Sequence, residues 1–330
     1  NSFLVEDQKL LAVHETRSFR TGGDLIALLP DDLPTPFHSG DVAKGLGIAR
    51  HFAQRIVYCL REMKIASVVG KLRNAKLYEI GAGTSEIHRD IIAKQLKAGG
   101  YATGMFGKWH LGDEPEYQPE HRGFDEVFIH GGGGIGQVYP GSCGDAPRNT
   151  YFNPAILHNG TFERTQGYCT DVFFAQALRW IATRKDQAEP FYAHIATNAP
   201  HAPLQVRPED EARYAGKVPD AATAKYFGMV ANIDDNVGRL LDQLDAWGLR
   251  ERTLIVFMND NGGTGGVKVF NAGMRGQKGS PWLGGTRAAS FWRWPGHLQP
   301  RDVSALTAHI DFFPTLAALA QAKLSPAVQA

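Results

Sequence analysis

Residues 97–330 predict an α/β layered domain on a largely parallel sheet, and residues 1–80 predict a small α+β segment ahead of it. Three observations carry this. From Lys97 onward, apolar β runs alternate with amphipathic helical stretches, the order that builds strand and helix layers. Phe191–Ile195 and Thr253–Met258 are the clearest of those β runs. Before residue 80, helical stripes give way to two short β-rich runs joined by a turn. The chain of 330 residues is 43% hydrophobic and 21% charged, which excludes a disordered or fibrous class. Its formal net charge of +1 leaves any attraction for an anionic partner to a local cluster.

In the N-terminal segment, Pro30, Pro34 and Pro36 mark a loop at Leu29–Phe37. Ser39 is expected to cap a helix through Leu46, and Gly47 to make the turn into a second helix, Ala49–Met63, striped by Phe52, Ile56, Val57 and Leu60. Ala66–Val69 and Ala75–Ile80, joined by the basic turn from Gly70 to Asn74, read as a hairpin. This helix-turn-helix and wing resembles a bacterial winged-helix domain. The resemblance implies DNA contacts from Arg50, Arg55, Lys71 and Arg73, with Arg61, Lys64 and Lys76 nearby. Such domains also bind proteins, and solvated helix faces are often basic, so both partners stay open.

Gly81–Leu96 is similar to a short C-terminal motif of acyl-CoA dehydrogenases, but no other segment of that family is present, and no flavin is expected. The stretch itself predicts a connecting helix capped by Thr84 or Ser85 and ended by Gly99-Gly100, with Ile87, Ile91 and Leu96 facing a core. Further on, Asp220 is expected to cap a helix running to Trp247 and stopped by Gly248. Along it Tyr226, Met229, Ile233, Val237, Leu240, Leu244 and Trp247 recur at helical steps. Gly131–Gly134 lacks the strand-to-helix context of a nucleotide loop. Cys59, Cys143 and Cys169 share no metal spacing, and their odd number argues against a disulfide framework. No run approaches the ~20 apolar residues of a membrane helix, so no membrane partner is expected.

The chemistry concentrates in blocks of the larger domain. Gly104–Gly112 contains Gly107-Lys108-Trp109-His110 and is followed by His121-Arg122-Gly123-Phe124-Asp125. Then come Asn198-Ala199-Pro200-His201-Ala202-Pro203, Asn259-Asp260-Asn261-Gly262-Gly263, and Gln277-Lys278-Gly279 with Trp282, Gly284-Gly285 and Arg287. Ile233–Arg239 and His309–Thr315 add two more. Together these blocks resemble the arylsulfatases, and the resemblance implies a sulfatase/alkaline-phosphatase-like layered sheet hydrolysing a sulfate ester. It also implies that Lys108 and Lys278 grip sulfate oxygens, that His201 binds sulfate and protonates the leaving group, and that His110 acts on the covalent intermediate. Taken singly, such residues are more often surface or satisfied core groups; their order in matching blocks favours the site roles. Cleavage of the S–O bond loads charge onto the bridging oxygen, so fixed cations and an acid suit it.

Asp260 and Asn261 follow a strand, where open α/β sheets place ligands, and the resemblance makes them part of a Ca2+ site. Calcium takes ~6–8 oxygens, so two protein ligands would hold it weakly; Asp-Asn-Gly-Gly is also ordinary turn chemistry. The family's nucleophile motif, Cys/Ser-x-Pro-Ser-Arg, whose first residue becomes formylglycine, is absent from the sequence, and no formylglycine is expected. Cys143, before Gly144-Asp145-Ala146-Pro147-Arg148, has the wrong spacing, and Asp31 and Asp32 read as loop residues rather than metal ligands. Leu283 replaces a usually acidic residue. The chain stops soon after Thr315, ahead of the family's usual small C-terminal subdomain, so an incomplete sheet is expected, and the absent nucleophile motif makes little or no activity expected.

Two other readings stand beside the hydrolase. One is a winged-helix module with a passenger C-terminal half. The other is a composite of unrelated coding segments, suggested by resemblances that change abruptly near residues 80 and 96. Compartment stays open: the N-terminus lacks signal-peptide order, which reads as cytoplasmic for a complete chain, whereas sulfatases of this type are usually exported.

Overall fold

The computed structural model describes residues 29–30, 33–34, 36–62, 66–72, 75–80, 92–112, 115–131, 135–136, 146–305 and 307–321. The chain divides into two compact units, Asn1–Thr84 and Ser85–Ala330.

The first unit contains helices α1 (Ser39–Leu46) and α2 (Arg50–Glu62), then an antiparallel hairpin of β1 (Ala66–Leu72) and β2 (Ala75–Ile80). The cap of α1 is His38, not Ser39. The Asp41 amide donates to His38 Nδ1 at 3.1 Å, and the His38 amide donates to the Asp41 carboxylate at 2.7 Å. This reciprocal pair satisfies two amides at once, which a serine one residue later does not match. Gly47, at φ 63°, supplies the left-handed residue that ends the helix. Phe37, Val42, Ala53, Val57, Leu60 and Ala66 form the core. Phe52 instead faces outward, as do Arg50 and Arg55. Lys71 lies on β1; Arg73, Asp31, Asp32 and most of the expected helix at 81–96 fall outside the described residues.

The second unit opens with helix α3 at residues 92–98. Its main sheet has five strands: β3 (Ala102–Lys108), β4 (Glu126–His130), β5 (Ala155–His158), β6 (Thr161–Arg164) and β7 (Phe191–Ala196), in the order β6-β5-β4-β3-β7. This sheet is mixed rather than largely parallel. β3 runs parallel to β4 and β7, while β4-β5 and β5-β6 are antiparallel. The reason is local: Asn159-Gly160 forms a two-residue turn with φ of 45° and 82°, the geometry that folds a chain directly back on itself. β8 (Ile255–Met258), two residues shorter at its start than expected, pairs with β9 (Ser290–Arg293) in a separate antiparallel ribbon.

Helices cover both faces of the main sheet. Phe106, Phe128 and Ile156 share a core with Phe173, Ala177 and Trp180 of α4 (Cys169–Arg184), and α6 (Ala221–Ala246) packs against α4, adding Met229 and Leu244 to the same core. On the other face Met105, Val127 and Ile129 meet Ala93 of α3, Trp109 and Phe124, while Ile92 and Leu96 meet Phe313 of α8 (Phe312–Leu319). Adjacent residues of β3 thus serve opposite layers, as strand pleating requires. Asp220 caps α6 by accepting from the Thr223 amide at 2.7 Å, and Gly248 at φ 68° ends it. Between β7 and α6 lies the short α5 (Pro208–Ala212), and α7 (Leu283–Thr286) precedes β9. Among the described residues, no helix is long and apolar enough to cross a membrane.

Candidate functional site

Because β3 and β7 are parallel neighbours, they deliver their following loops to one edge of the sheet. Lys108 is the last residue of β3, and Gly107 beside it is in register with Ala196 at the end of β7. The two strands touch closely here: a Cβ on Gly107 would lie 2.0 Å from the Ala196 carbonyl oxygen, and Gly107 has φ 113°. The required glycine thereby sets Lys108 next to the loop that carries His201. Trp109 is buried, donates its indole N–H to the Tyr117 carbonyl at 2.9 Å, and anchors the turn between Lys108 and His110. His110 takes a left-handed φ of 65°, unusual for a residue with a side chain and the point where the chain leaves the edge.

His201 sits in the loop after β7, flanked by cis peptides at Ala199-Pro200 and Ala202-Pro203. Its amide donates to the Asn198 carbonyl at 2.9 Å, and its own carbonyl accepts from the Tyr151 hydroxyl at 2.9 Å. Nδ1 lies 2.8 Å from the Ala202 carbonyl oxygen. A carbonyl only accepts, so Nδ1 carries the hydrogen, and Nε2 is the ring atom left to exchange a proton with a ligand.

Asp260, Asn261 and Lys278 form a second group, gathered by backbone. Asn259 donates to Ala289 at 3.1 Å, Gly262 to Gly285 at 3.1 Å, and Lys278 to Gly263 at 3.0 Å. Gly262 is pressed so closely on Gly284 that a Cβ would sit 1.9 Å from its carbonyl oxygen. Asp260 and Lys278 are exposed, and Asn261 is half-buried. The structure thus brings the Lys108 turn and the His201 loop off neighbouring strands at one sheet edge, and gathers Asp260, Asn261 and Lys278 by backbone in a second loop system. The element shared by the two loop systems is the N-terminal part of α6. Gly265 and Gly266 lie under Tyr226 and Phe227, while Gly228 abuts Val206 and Asp210, just beyond the His201 loop.

Two motif blocks act as braces. In His121–Asp125, Gly123 approaches the α3 backbone so closely that a Cβ would be 2.5 Å from the Lys94 nitrogen, and Asp125 pairs with Lys97. Asp125 also accepts from the Thr103 hydroxyl at 2.9 Å. Burial alone would raise the Asp125 pKa, but its bonds from Lys97 and Thr103 outweigh this and hold it below the usual value. From Ile233–Arg239, Asn236 and Arg239 donate to Asp171 of α4 at 2.7 and 2.8 Å, beside Asn232 at 3.0 Å and Arg207 at 3.1 Å.

For calcium, the donor set is short. Asp260 and Asn261 are two oxygen-bearing side chains against the ~6–8 oxygens the ion takes. Among the described residues no three His, Cys, Asp or Glu side chains converge on a metal position. The described donors alone do not fit calcium, and no step below is drawn through it. Asp31, Asp32 and Cys143 lie outside the described residues.

A family model described as Sulfatase matches residues 71–322. The chain belongs to the sulfatase family. The match starts earlier than Lys97, within β1. This sulfatase chain is 29% identical over 240 residues to the uncharacterized sulfatase YdeN of Escherichia coli K12, covering 66% of this chain and 40% of that protein. It is 31% identical over 258 residues to arylsulfatase A of Homo sapiens, covering 71% and 48% respectively. The crystal structure of Ps i-CgsB in complex with k-i-k-neocarrahexaose superposes with a TM-score of 0.65 at 32% identity, covering 72% of this chain and 55% of that one. The sulfatase chain thus spans about half the length of these relatives, or less. Its fold is the α/β sulfatase/alkaline-phosphatase-like one. Three supporting residues gave no motif signal in the sequence: His130, buried and in register with Lys108, and Tyr151 and Gln205, which brace the His201 loop. The one readable hint was that His130 ends an apolar β run.

Proposed function

We propose that this chain recognises the anionic head of a sulfate ester through Lys108, His110, His201 and Lys278, as part of a sulfuric ester hydrolase site. The observation that carries the reading is the parallel β3-β7 pair, whose close contact at Gly107 and Ala196 sets the Lys108 and His201 loops side by side. A lysine offers a compact positive charge to sulfate oxygens. His201 keeps Nδ1–H on the Ala202 carbonyl, and when the ring is protonated its Nε2–H is the proton it can pass to a departing ester oxygen. His110, one buried tryptophan beyond Lys108, is read as a further contact to the anion, since the covalent-intermediate step of the family has no nucleophile in this sequence. Family membership is the one ground for a Ca2+ ion at Asp260 and Asn261; these two side chains are too few to hold it, and the sulfate contacts are assigned without it. With no Cys/Ser-x-Pro-Ser-Arg segment in the sequence to supply the nucleophile, we take turnover by this chain to be absent or weak, and binding to be what survives.

The test is a calorimetric titration with inorganic sulfate, run beside turnover of an aryl sulfate. Sulfate is expected to bind, and Lys108→Ala or Lys278→Ala to weaken it about tenfold, the scale of one charge-assisted hydrogen bond. Unchanged binding in the Lys108→Ala protein would overturn the assignment. A separate reading applies to the first unit, where exposed Arg50 and Arg55 lie on α2 over a core of its own, outside the matched sulfatase residues. There we propose a DNA-binding surface; salt-sensitive duplex binding weakened by Arg55→Ala supports it, and no binding at low salt removes it.

A further inference from the structure

We propose that Tyr151 and Tyr168 are positioning residues that hold the His201 loop in its working geometry; this rests on the sulfate-binding reading above. Both side chains are buried, and their rings stack with centroids 5.8 Å apart. Each hydroxyl donates to a carbonyl of the same loop: Tyr151 to His201 at 2.9 Å, and Tyr168 to Gln205 at 2.8 Å. The clasp closes a third time, because the Gln205 side-chain oxygen accepts from the Tyr151 amide at 2.9 Å. The tyrosines are themselves fixed to each other's segments, since the Cys169 amide donates to the Tyr151 carbonyl at 2.7 Å and Phe152 forms a β-bridge with Tyr168.

The clasp stands at the base of the β5-β6 hairpin and at the start of α4, so rigid elements grip a loop that carries no regular structure of its own. That is how a loop histidine is held to the small tolerance chemistry needs. A His201 carbonyl held by Tyr151 and a ring Nδ1 held by the Ala202 carbonyl fix the residue at both ends, and leave Nε2 aimed by the loop rather than by solvent. Burial raises the pKa of both tyrosines far above neutral, so the two hydroxyls remain donors throughout any ordinary assay range.

Tyr151→Phe and Tyr168→Phe remove the hydroxyls and keep the stacked rings. The control is Thr165→Val, which removes a hydroxyl-to-carbonyl bond of the same kind, to Pro154 at 2.6 Å, elsewhere in the same hairpin region. The whole chain is used, with ring 15N labels on histidine, His201 assigned through His201→Gln, and inorganic sulfate as the probe. In the parent protein His201 is expected to show a single Nδ1–H tautomer that responds to sulfate. Tyr151→Phe is expected to mix the tautomers and raise the sulfate dissociation constant about two- to tenfold, with a smaller effect from Tyr168→Phe and none from Thr165→Val. The proposal is overturned if both phenylalanine variants, folded by thermal melting, keep the parent His201 spectrum, or if Thr165→Val disturbs it as much. Should His201 of the parent ignore sulfate, the binding reading falls, and the tautomer comparison still decides the role of the tyrosines.

Discussion

His158 shows how much one side chain can state about its own charge. Nε2 lies 2.8 Å from a Glu126 oxygen and Nδ1 2.9 Å from a Glu163 oxygen, so both ring nitrogens face acceptors and both need hydrogens. Only the imidazolium satisfies that. Burial works to lower its pKa, but the hydrogen bonds and charges of the two glutamates outweigh it, and the pKa is raised. Asn159 and Gln176 also donate to Glu126, so the carboxylate is held in place for the ring. A histidine with a raised folded-state value stabilises fully below its unfolded value near ~6.5 and loses that contribution as pH climbs through the folded value. Urea midpoints are therefore expected to fall between pH 6 and pH 8.5, and His158→Gln to flatten that part of the profile. An equal slope in the variant would assign the dependence to other groups.

At the scale of elements, the junction of β3 and β7 carries the site. Gly107→Ala would thrust a methyl at the Ala196 carbonyl while disfavouring φ 113°, and it is expected to cost about 1–3 kcal/mol in denaturant unfolding. It should also loosen sulfate binding more than the stability loss alone predicts, a comparison made by titrating at a temperature where the variant is fully folded. The same elements show what a sequence can and cannot reveal. The α6 helix was legible because its cap at Asp220, its stop at Gly248 and its apolar period are all local signals. The cap of α1 was misread because a histidine and an aspartate made a reciprocal pair in place of the usual serine. Strand direction was missed in part: the expectation of a largely parallel sheet passed over the local hairpin signal of Asn159-Gly160, while the parallel pairing of β3 with β7 joins Gly107 to Ala196 across many residues and has no local signature. Tyr151 and Gln205 were invisible for the same reason, since their bonds to each other and to His201 reach fifty or more positions along the chain.

For the whole molecule, the motif blocks located the sulfatase half but did not say which blocks touch ligand and which, like His121–Asp125, clamp a helix to the sheet. Long-range packing decides that. The short calcium donor set leads to a prediction at this scale. Millimolar Ca2+ is expected to leave the melting temperature of this chain unchanged, since a ligand that binds the folded state stabilises only in proportion to its occupancy. A clear upward shift, abolished by Asp260→Ala, would show that further oxygens complete the site. The β8-β9 ribbon has a last consequence. Phe291 is 65% exposed, Phe257 and Trp292 are also turned outward, and Phe270, in the segment between the two strands, is 77% exposed, on a chain whose formal charge is only +1. So little charge offers scant mutual repulsion between molecules, and aromatic contact governs how they meet. Concentrated solutions should grow more turbid as sulfate or phosphate salts are added, and clear again in the cold, where hydrophobic adhesion weakens.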